Sequence, residues 1–174
     1  MMMTRMNTHR NKYLIFPLCG ILVFLTSQLP LFGQPHPPRP MQVSHYQDIN
    51  FGAFVQGGTS GTVIVYPNGS RSATGSVLLV NLGYMVYPAI FEIEVLPGTV
   101  ISLAFGPDAT LTGSNSGTLT MHIGGSDPQS PFVTTANPPS RNQVRIGGTL
   151  TVGTSGANPP GAYSGTFSVT FNQE

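Results

Sequence analysis

Residues 144–152 read VRIGGTLTV and residues 163–171 read YSGTFSVTF. In the first stretch the apolar residues fall on even positions. In the second the aromatic and branched residues fall on odd positions, with serine and threonine between them. A period of two is the pattern of a β-strand that has one buried face and one wet face. Because the second stretch carries the larger side chains, we predict that it is a central strand.

The rest of the chain from residue 49 onward divides into similar short runs. Apolar residues alternate over 91–95 and follow again at 101–105, and Pro97-Gly98 between these runs predicts a tight hairpin. Pro67-Asn68-Gly69 predicts another turn, and the proline-rich stretch 127–142 a long surface loop. Further strands are predicted at 49–55, 62–66, 73–82 and 118–123. Eight strands without a helix predict an all-β fold, an immunoglobulin-like antiparallel β-sandwich.

The composition agrees with one globular β domain. The chain has 174 residues, which suits a single core. Only 7% of its residues are charged, against roughly 25% in ordinary proteins. Since 40% are hydrophobic, a core can form and disorder is not expected.

The N-terminal region has the features of an export signal. Basic residues between Arg5 and Lys12 precede an apolar run at 14–25, and Leu31-Phe32-Gly33 is a tolerable cleavage site. We therefore predict a signal peptide at 1–33, a proline-rich linker at 34–47 and the β-sandwich domain at 48–174. The expected location is the periplasm, the cell surface or the medium of a Gram-negative bacterium.

Two alternatives for this region stay open. One is an uncleaved membrane anchor, although Pro17 and the polar residues 26–28 interrupt the apolar run. The other is lipid attachment at Cys19, although no small residue directly precedes that cysteine. After cleavage at Gly33 the chain would keep four basic and six acidic residues, a formal charge of −2. Such a chain is not expected to bind nucleic acid.

No motif for catalysis or for a cofactor is found. The sequence contains no G-x-S-x-G elbow, no phosphate-binding loop with its lysine and no dinucleotide fingerprint. With Cys19 removed, thiolate catalysis, disulfides and cysteine-bound metal are excluded together. We therefore expect neither catalytic residues nor a cofactor or metal, and a non-enzymatic role.

A few ionisable residues allow a second interpretation. Glu92 and Glu94 share one strand face and could bind a cation or act as an acid and base pair, but a solvated strand face is the simpler interpretation. His122 is expected to face water, and the histidines lack metal-ligand spacing. Asp108 and Asp127 each neighbour a proline, which favours turn formation over calcium binding.

Tyr84 and Tyr87 form the aromatic cluster to test for ligand contact. They lie near Met85 and Pro88 in an expected loop. Exposed aromatic residues carry many sugar-binding sites, but the chain has no tryptophan, and these tyrosines could equally pack under a sheet edge.

Five segments resemble a known family. They are INFGAF at 49–54, GG at 57–58, GSRSATG at 69–75, IGGTLTV at 146–152 and PGAYSGTFSVT at 160–170. Together they are similar to the bacterial family called domain of unknown function 4402. The resemblance implies an exported, immunoglobulin-like sandwich with a pilus-like or surface role, and it carries no catalytic residues.

Three functions follow as hypotheses. The first is a structural or adhesive surface domain, in the form of a pilus-like subunit, whose partners are like subunits or other surface proteins. The second is a carbohydrate-binding module with a glycan partner, and the third is an enzyme. Pilins that polymerise by strand donation carry a strand-like extension, whereas residues 34–40 here are rich in proline.

Overall fold

The computed structural model describes residues 40–174, which form thirteen strands and no helix. The strands are β1 (Gln42–Gln47), β2 (Phe54–Val55), β3 (Gly61–Val65), β4 (Arg71–Gly75), β5 (Leu78–Leu79), β6 (Ala89–Glu94), β7 (Val100–Phe105), β8 (Ala109–Gly113), β9 (Thr118–Asp127), β10 (Phe132–Val133), β11 (Asn142–Val152), β12 (Tyr163–Ser164) and β13 (Val169–Gln173). Every pair between these strands is antiparallel. The all-β sandwich expected from the sequence is confirmed, with shorter and more numerous strands than the eight predicted.

The large sheet is organised around β11. One side of β11 pairs along most of its length with β9. The other side pairs first with β6, over 142–146, and then with β3, over 148–152. Beyond these neighbours the sheet continues to β1, β4, β8 and β12. The alternation in VRIGGTLTV therefore marks the true centre of the sheet.

A three-stranded sheet, β10-β7-β13, packs against the large sheet near β6. Phe171 of β13 and Phe91 of β6 have ring centroids 5.4 Å apart, and Phe167 lies 6.5 Å from Phe91. Phe51 and Val77, from the segments beside β2 and β5, join the same buried cluster. The largest fully buried side chains come from several strands, namely Ile93, Ile101, Ile146, Val63, Val65, Val144 and Val152.

The prediction that 163–171 is one central strand is wrong. The segment divides into β12, at the edge of the large sheet, and β13, at the edge of the small one. The change of sheet occurs between Ser164 and Val169. Gly165 still lies against β8, where an added Cβ would lie 2.6 Å from the carbonyl oxygen of Thr110. The alternating pattern continues through this change because Tyr163 and Phe171 both pack against the core from their own sheets.

One of the two predicted turns joins a hairpin and the other does not. Pro67-Asn68-Gly69 connects β3 with β4, and the Gly69 N–H donates to the Tyr66 carbonyl at 2.9 Å. Pro97-Gly98 also forms a turn, but β6 and β7 belong to different sheets, so this turn crosses the sandwich. The Gly98 N–H donates to the carbonyl of Thr134, which is itself buried and hydrogen-bonded to Leu96.

Other segment boundaries also differ from the expectations. The predicted linker at 34–47 contains β1 in its last six residues, since no proline occurs between Pro40 and Pro67 to prevent pairing. The expected loop at 127–142 contains β10, with Phe132 buried. The predicted signal peptide at 1–33 with Cys19, and the linker residues before residue 40, lie outside the described residues.

Candidate functional site

The structure separates the two tyrosines that the sequence singled out. Tyr84 is 67% exposed. Tyr87 is half-buried, and its backbone exchanges two hydrogen bonds with Asn50, at 2.9 and 3.1 Å. Of the two, Tyr84 is the one exposed to solvent, whereas Tyr87 pairs through its backbone with Asn50.

Residues 81–86, here called the apolar loop, bulge out from a pairing of two chain segments. Before the loop, the Val80 N–H donates to the Ala53 carbonyl. After it, Tyr87 pairs with Asn50. Six residues therefore lie opposite only two, Phe51 and Gly52, so the longer segment protrudes from the surface.

The side chains of the apolar loop and its surroundings are unusually exposed for their type. Leu82 and Met85 are each 70% exposed, beside Tyr84. Leu78 and Val55, paired in the adjoining strands, are 67% and 50% exposed. Contiguous exposed apolar surface commonly marks a contact site. This surface is the first candidate for function.

Arg71 fixes the base of this region, and the sequence reasoning did not single it out. Its guanidinium donates to the carbonyls of Phe51 at 2.7 Å, Ala53 at 3.0 Å and Val80 at 3.4 Å. Gly52 has φ +66°, and an added Cβ there would lie 2.7 Å from the Arg71 Nη1 atom. A signal was present in the sequence, because Arg71 is the one charged residue between 49 and 91.

A second surface lies where β1 extends beyond the small sheet. Val43 and His45 are the cross-strand partners of Ile93 and Phe91, so all four side chains point to the inner face. Ile93 is fully buried, yet Val43 is 40% exposed and the His45 side chain 50% exposed. Within residues 40–174 the inner face of β1 is therefore only partly covered.

The edge strand β13 lies nearby, because His45 of β1 and Phe171 of β13 have ring centroids 5.6 and 5.4 Å from that of Phe91. The Gly106 N–H donates to the carbonyl of Ser168, and the Glu174 N–H donates to the carbonyl of Val100. In this pairing the backbone groups of the even-numbered residues of β13 point toward β7. The backbone groups of Val169, Phe171 and Gln173 then point to the other edge, where no strand within 40–174 pairs with them. This edge of β13 and the inner face of β1 together are here called the open side.

The Glu92 and Glu94 carboxylates are held by one arginine. Arg141 Nη1 lies 3.3 Å from Glu92 Oε2, and its Nε lies 3.6 Å from Glu94 Oε2. Both glutamate side chains are 24% exposed, which is less than a fully solvated row would be. The arginine offsets the charge of both carboxylates and occupies the space where a cation would have to bind.

The remaining ionisable groups form separate surface pairs. His122 Nδ1 and Asp108 Oδ1 are 2.7 Å apart, with both side chains more than half exposed. Asp127 Oδ2 lies 3.9 Å from Arg145. Within residues 40–174, no group of three His, Cys, Asp or Glu side chains is placed to hold a metal ion. The same residues include no helix long and apolar enough to cross a membrane.

A cleft of about 260 Å³ lies beside the end of β6. Its lining residues are Pro40, Gln42, Glu94, Val95, Leu96 and Pro138. Glu94 is the only ionisable side chain in this lining, and Arg141 already binds it. The cleft therefore does not bring together the groups that acid and base catalysis requires.

Comparison with known proteins identifies the family. No curated protein and no solved structure matches the chain. One family model matches residues 41–172, which run from just before β1 into β13. The segments quoted above had indicated the same family. The chain belongs to the family described as Domain of unknown function (DUF4402).

Proposed function

We propose that this protein is an exported, non-catalytic structural or adhesive domain that assembles at the cell surface, as a pilus-like subunit, with like subunits or other surface proteins. The observation that carries the proposal is the open side of the sandwich. There, within residues 40–174, the outer edge of β13 pairs with no strand, and the half-exposed inner face of β1 lies near it, because His45 and Phe171 both contact Phe91.

Both parts of the open side favour the addition of an extended segment from a second molecule. The outward N–H and C=O groups of β13 offer hydrogen bonds to an incoming strand. The same strand would cover Val43 and the exposed part of Phe171, which removes apolar surface from water. Backbone bonding together with apolar burial is the usual basis of strand addition.

The edge lacks the features that commonly prevent such contacts. β13 reads VTFNQ and contains neither proline nor a charged residue. Lysine, proline and inward-pointing charges are the devices by which edge strands avoid association. Their absence from β13 supports assembly through this edge.

The test measures association of variants that alter only the open side. Gln173→Pro removes an outward N–H group while the neighbouring bonds to β7 remain possible. Val43→Lys places a charge on the inner face of β1. The matched control is Val133→Lys, because Val133 is 57% exposed on β10, at the opposite edge of the small sheet.

We expect concentration-dependent oligomers or polymers of the unaltered protein in sedimentation velocity and electron microscopy. Both open-side variants should weaken association on the order of tenfold or more, and Val133→Lys should not. A protein that stays monomeric at all concentrations, or variants that associate as the unaltered protein does, would contradict the proposal.

The exposed ring of Tyr84 favours the carbohydrate-binding module as the second candidate. A single aromatic ring can stack on one sugar unit, although its neighbours Leu82 and Met85 are more apolar than a typical sugar platform. A glycan array probed with the protein and with Tyr84→Ala tests this candidate. Binding that the substitution abolishes would favour glycan capture over assembly.

A further inference from the structure

We infer that the apolar loop is a membrane-docking loop. It inserts Leu82 and Met85 into the apolar layer of an uncharged lipid surface, while Tyr84 lies at the interface. This role goes beyond assembly through the open side and does not depend on it, since the two surfaces share no residue.

The shape of the loop favours a bilayer as its partner. Residues 81–86 bulge outward from a paired base, and a Cβ added at Gly83 would meet no atom within 4 Å. A protruding tip with apolar side chains on both sides of its glycine cannot be buried by a flat protein face. A fluid lipid layer adapts to such a tip.

The chemistry of the side chains fits the depth at which each would lie. Leucine and methionine transfer favourably from water to hydrocarbon. Tyrosine combines an apolar ring with a polar hydroxyl and is enriched where membranes meet water. The order Leu82-Gly83-Tyr84-Met85 puts all three types on one short tip.

The charge pattern agrees with an uncharged partner surface. Arg71 is the one charged residue between 49 and 91, and its guanidinium is directed at three backbone carbonyls of the loop base. Docking would therefore bury no unpaired charge. Residues 49–91 contain no second basic residue to attract anionic headgroups, so attraction to them is not the driving force at this loop.

Arg71 also lowers the free-energy cost of bringing the base of the loop close to a membrane. Backbone groups without hydrogen bonds are expensive in an apolar layer. The carbonyls of Phe51, Ala53 and Val80 are bonded to Arg71, and Asn50 and Tyr87 bond to each other. The base of the loop can approach lipid with these groups satisfied.

The experiment measures binding to phosphatidylcholine vesicles by co-sedimentation, at low and high salt. We compare the protein, as recovered from expressing cells, with a variant that carries Leu82→Ser and Met85→Ser. The matched control is Tyr46→Ser, because Tyr46 is 64% exposed on β1, outside the loop. N-terminal sequencing of each sample shows whether the apolar stretch 14–25 is present equally in all of them.

We expect binding that salt leaves unchanged, a reduction on the order of tenfold or more in the double variant, and no reduction in Tyr46→Ser. Far-ultraviolet circular dichroism of each variant checks that it has folded. Since the chain has no tryptophan, Tyr84→Trp supplies a single tryptophan, which can be excited selectively over the tyrosines and whose emission should shift to shorter wavelength when vesicles are added.

Three results would overturn the inference. The first is no binding to phosphatidylcholine beyond the amount that the double variant retains. The second is binding that requires phosphatidylglycerol and disappears in high salt. The third is self-association in the absence of lipid that the double variant abolishes, which would identify the loop as a contact between proteins.

Discussion

The two sides of the sandwich differ sharply in how well they are closed. On the side of β8 and β9, Leu119, Met121 and Ile123 are at most 4% exposed. On the side of β1 and β13, Val43 is 40% exposed and Phe171 half-buried, although both face the core. The inner-facing pattern is similar on both sides, but only one side is covered within the described residues.

The two sides therefore contribute differently to the stability of the domain and to its contacts with other molecules. The closed side and the centre of the large sheet bury the side chains that hold the fold together. The open side and the apolar loop leave apolar surface in water, which contributes little to the stability of the isolated domain. Substitutions in the two regions should therefore act on different measurements, and their effects on stability should decrease from the centre outward.

Ile146→Ala tests the centre and should have the largest effect. Ile146 is fully buried on β11, between β6 and β9. Its truncation leaves a cavity that neighbouring strands cannot fill, so we expect the free energy of unfolding to fall by about 4 kcal/mol. Urea denaturation followed by circular dichroism measures the change. A loss below about 1 kcal/mol would show that β11 is not the centre of a tightly packed core.

Gly147→Ala tests how closely β3 packs against β11. An added Cβ would lie 2.5 Å from the carbonyl oxygen of Val65 and 2.9 Å from Cδ of Pro67. Because the first contact is with backbone, we expect a loss of about 2 kcal/mol. Gly58→Ala is the control, since its Cβ would meet no atom within 4 Å. Equal effects of the two substitutions in the same urea assay would show that crowding is not the cause.

The contrast between Gly147 and Gly58 also illustrates what the sequence could and could not predict. The alternation at 144–152 predicted the position of a buried strand, and Pro67-Asn68-Gly69 predicted the turn that joins β3 to β4. Both predictions needed only local information. Which of two glycines lies against another strand depends on residues distant in sequence, and a single sequence does not contain that pairing.

The same limit explains the errors. Residues 163–171 alternate throughout, but a segment that changes sheets between Ser164 and Val169 keeps facing the core, so periodicity does not reveal the change. Pro97-Gly98 predicted a turn correctly and a hairpin wrongly, since turn chemistry does not specify the sheet of the next strand. At the candidate site, residue type was enough to single out Tyr84, whereas Arg71 was missed because its partners are backbone carbonyls.

Val43→Ala and Val144→Ala compare the open side with the core through one chemical change. Val144 is fully buried, so its truncation should cost about 2 kcal/mol. Val43 is 40% exposed, and its truncation should cost about 0.5 kcal/mol in the monomer. Urea denaturation at several protein concentrations gives both values. Equal costs at low protein concentration would mean that the open side is covered within one chain.

Arg141→Gln should also have a small effect, although it removes the partner of two carboxylates. Arg141 lies on the outer face of the sheet, bonded to Glu92 and Glu94, while Ile93 between them faces the core. The arginine side chain is 42% exposed, so water and salt screen its attraction to both glutamates. Surface pairs of this kind contribute at most about 1 kcal/mol, and the difference from the unaltered protein should shrink in concentrated salt. A loss above about 2 kcal/mol that salt does not reduce would mean that the pair behaves as a buried one, and that the outer face of β6 is covered as its inner face is.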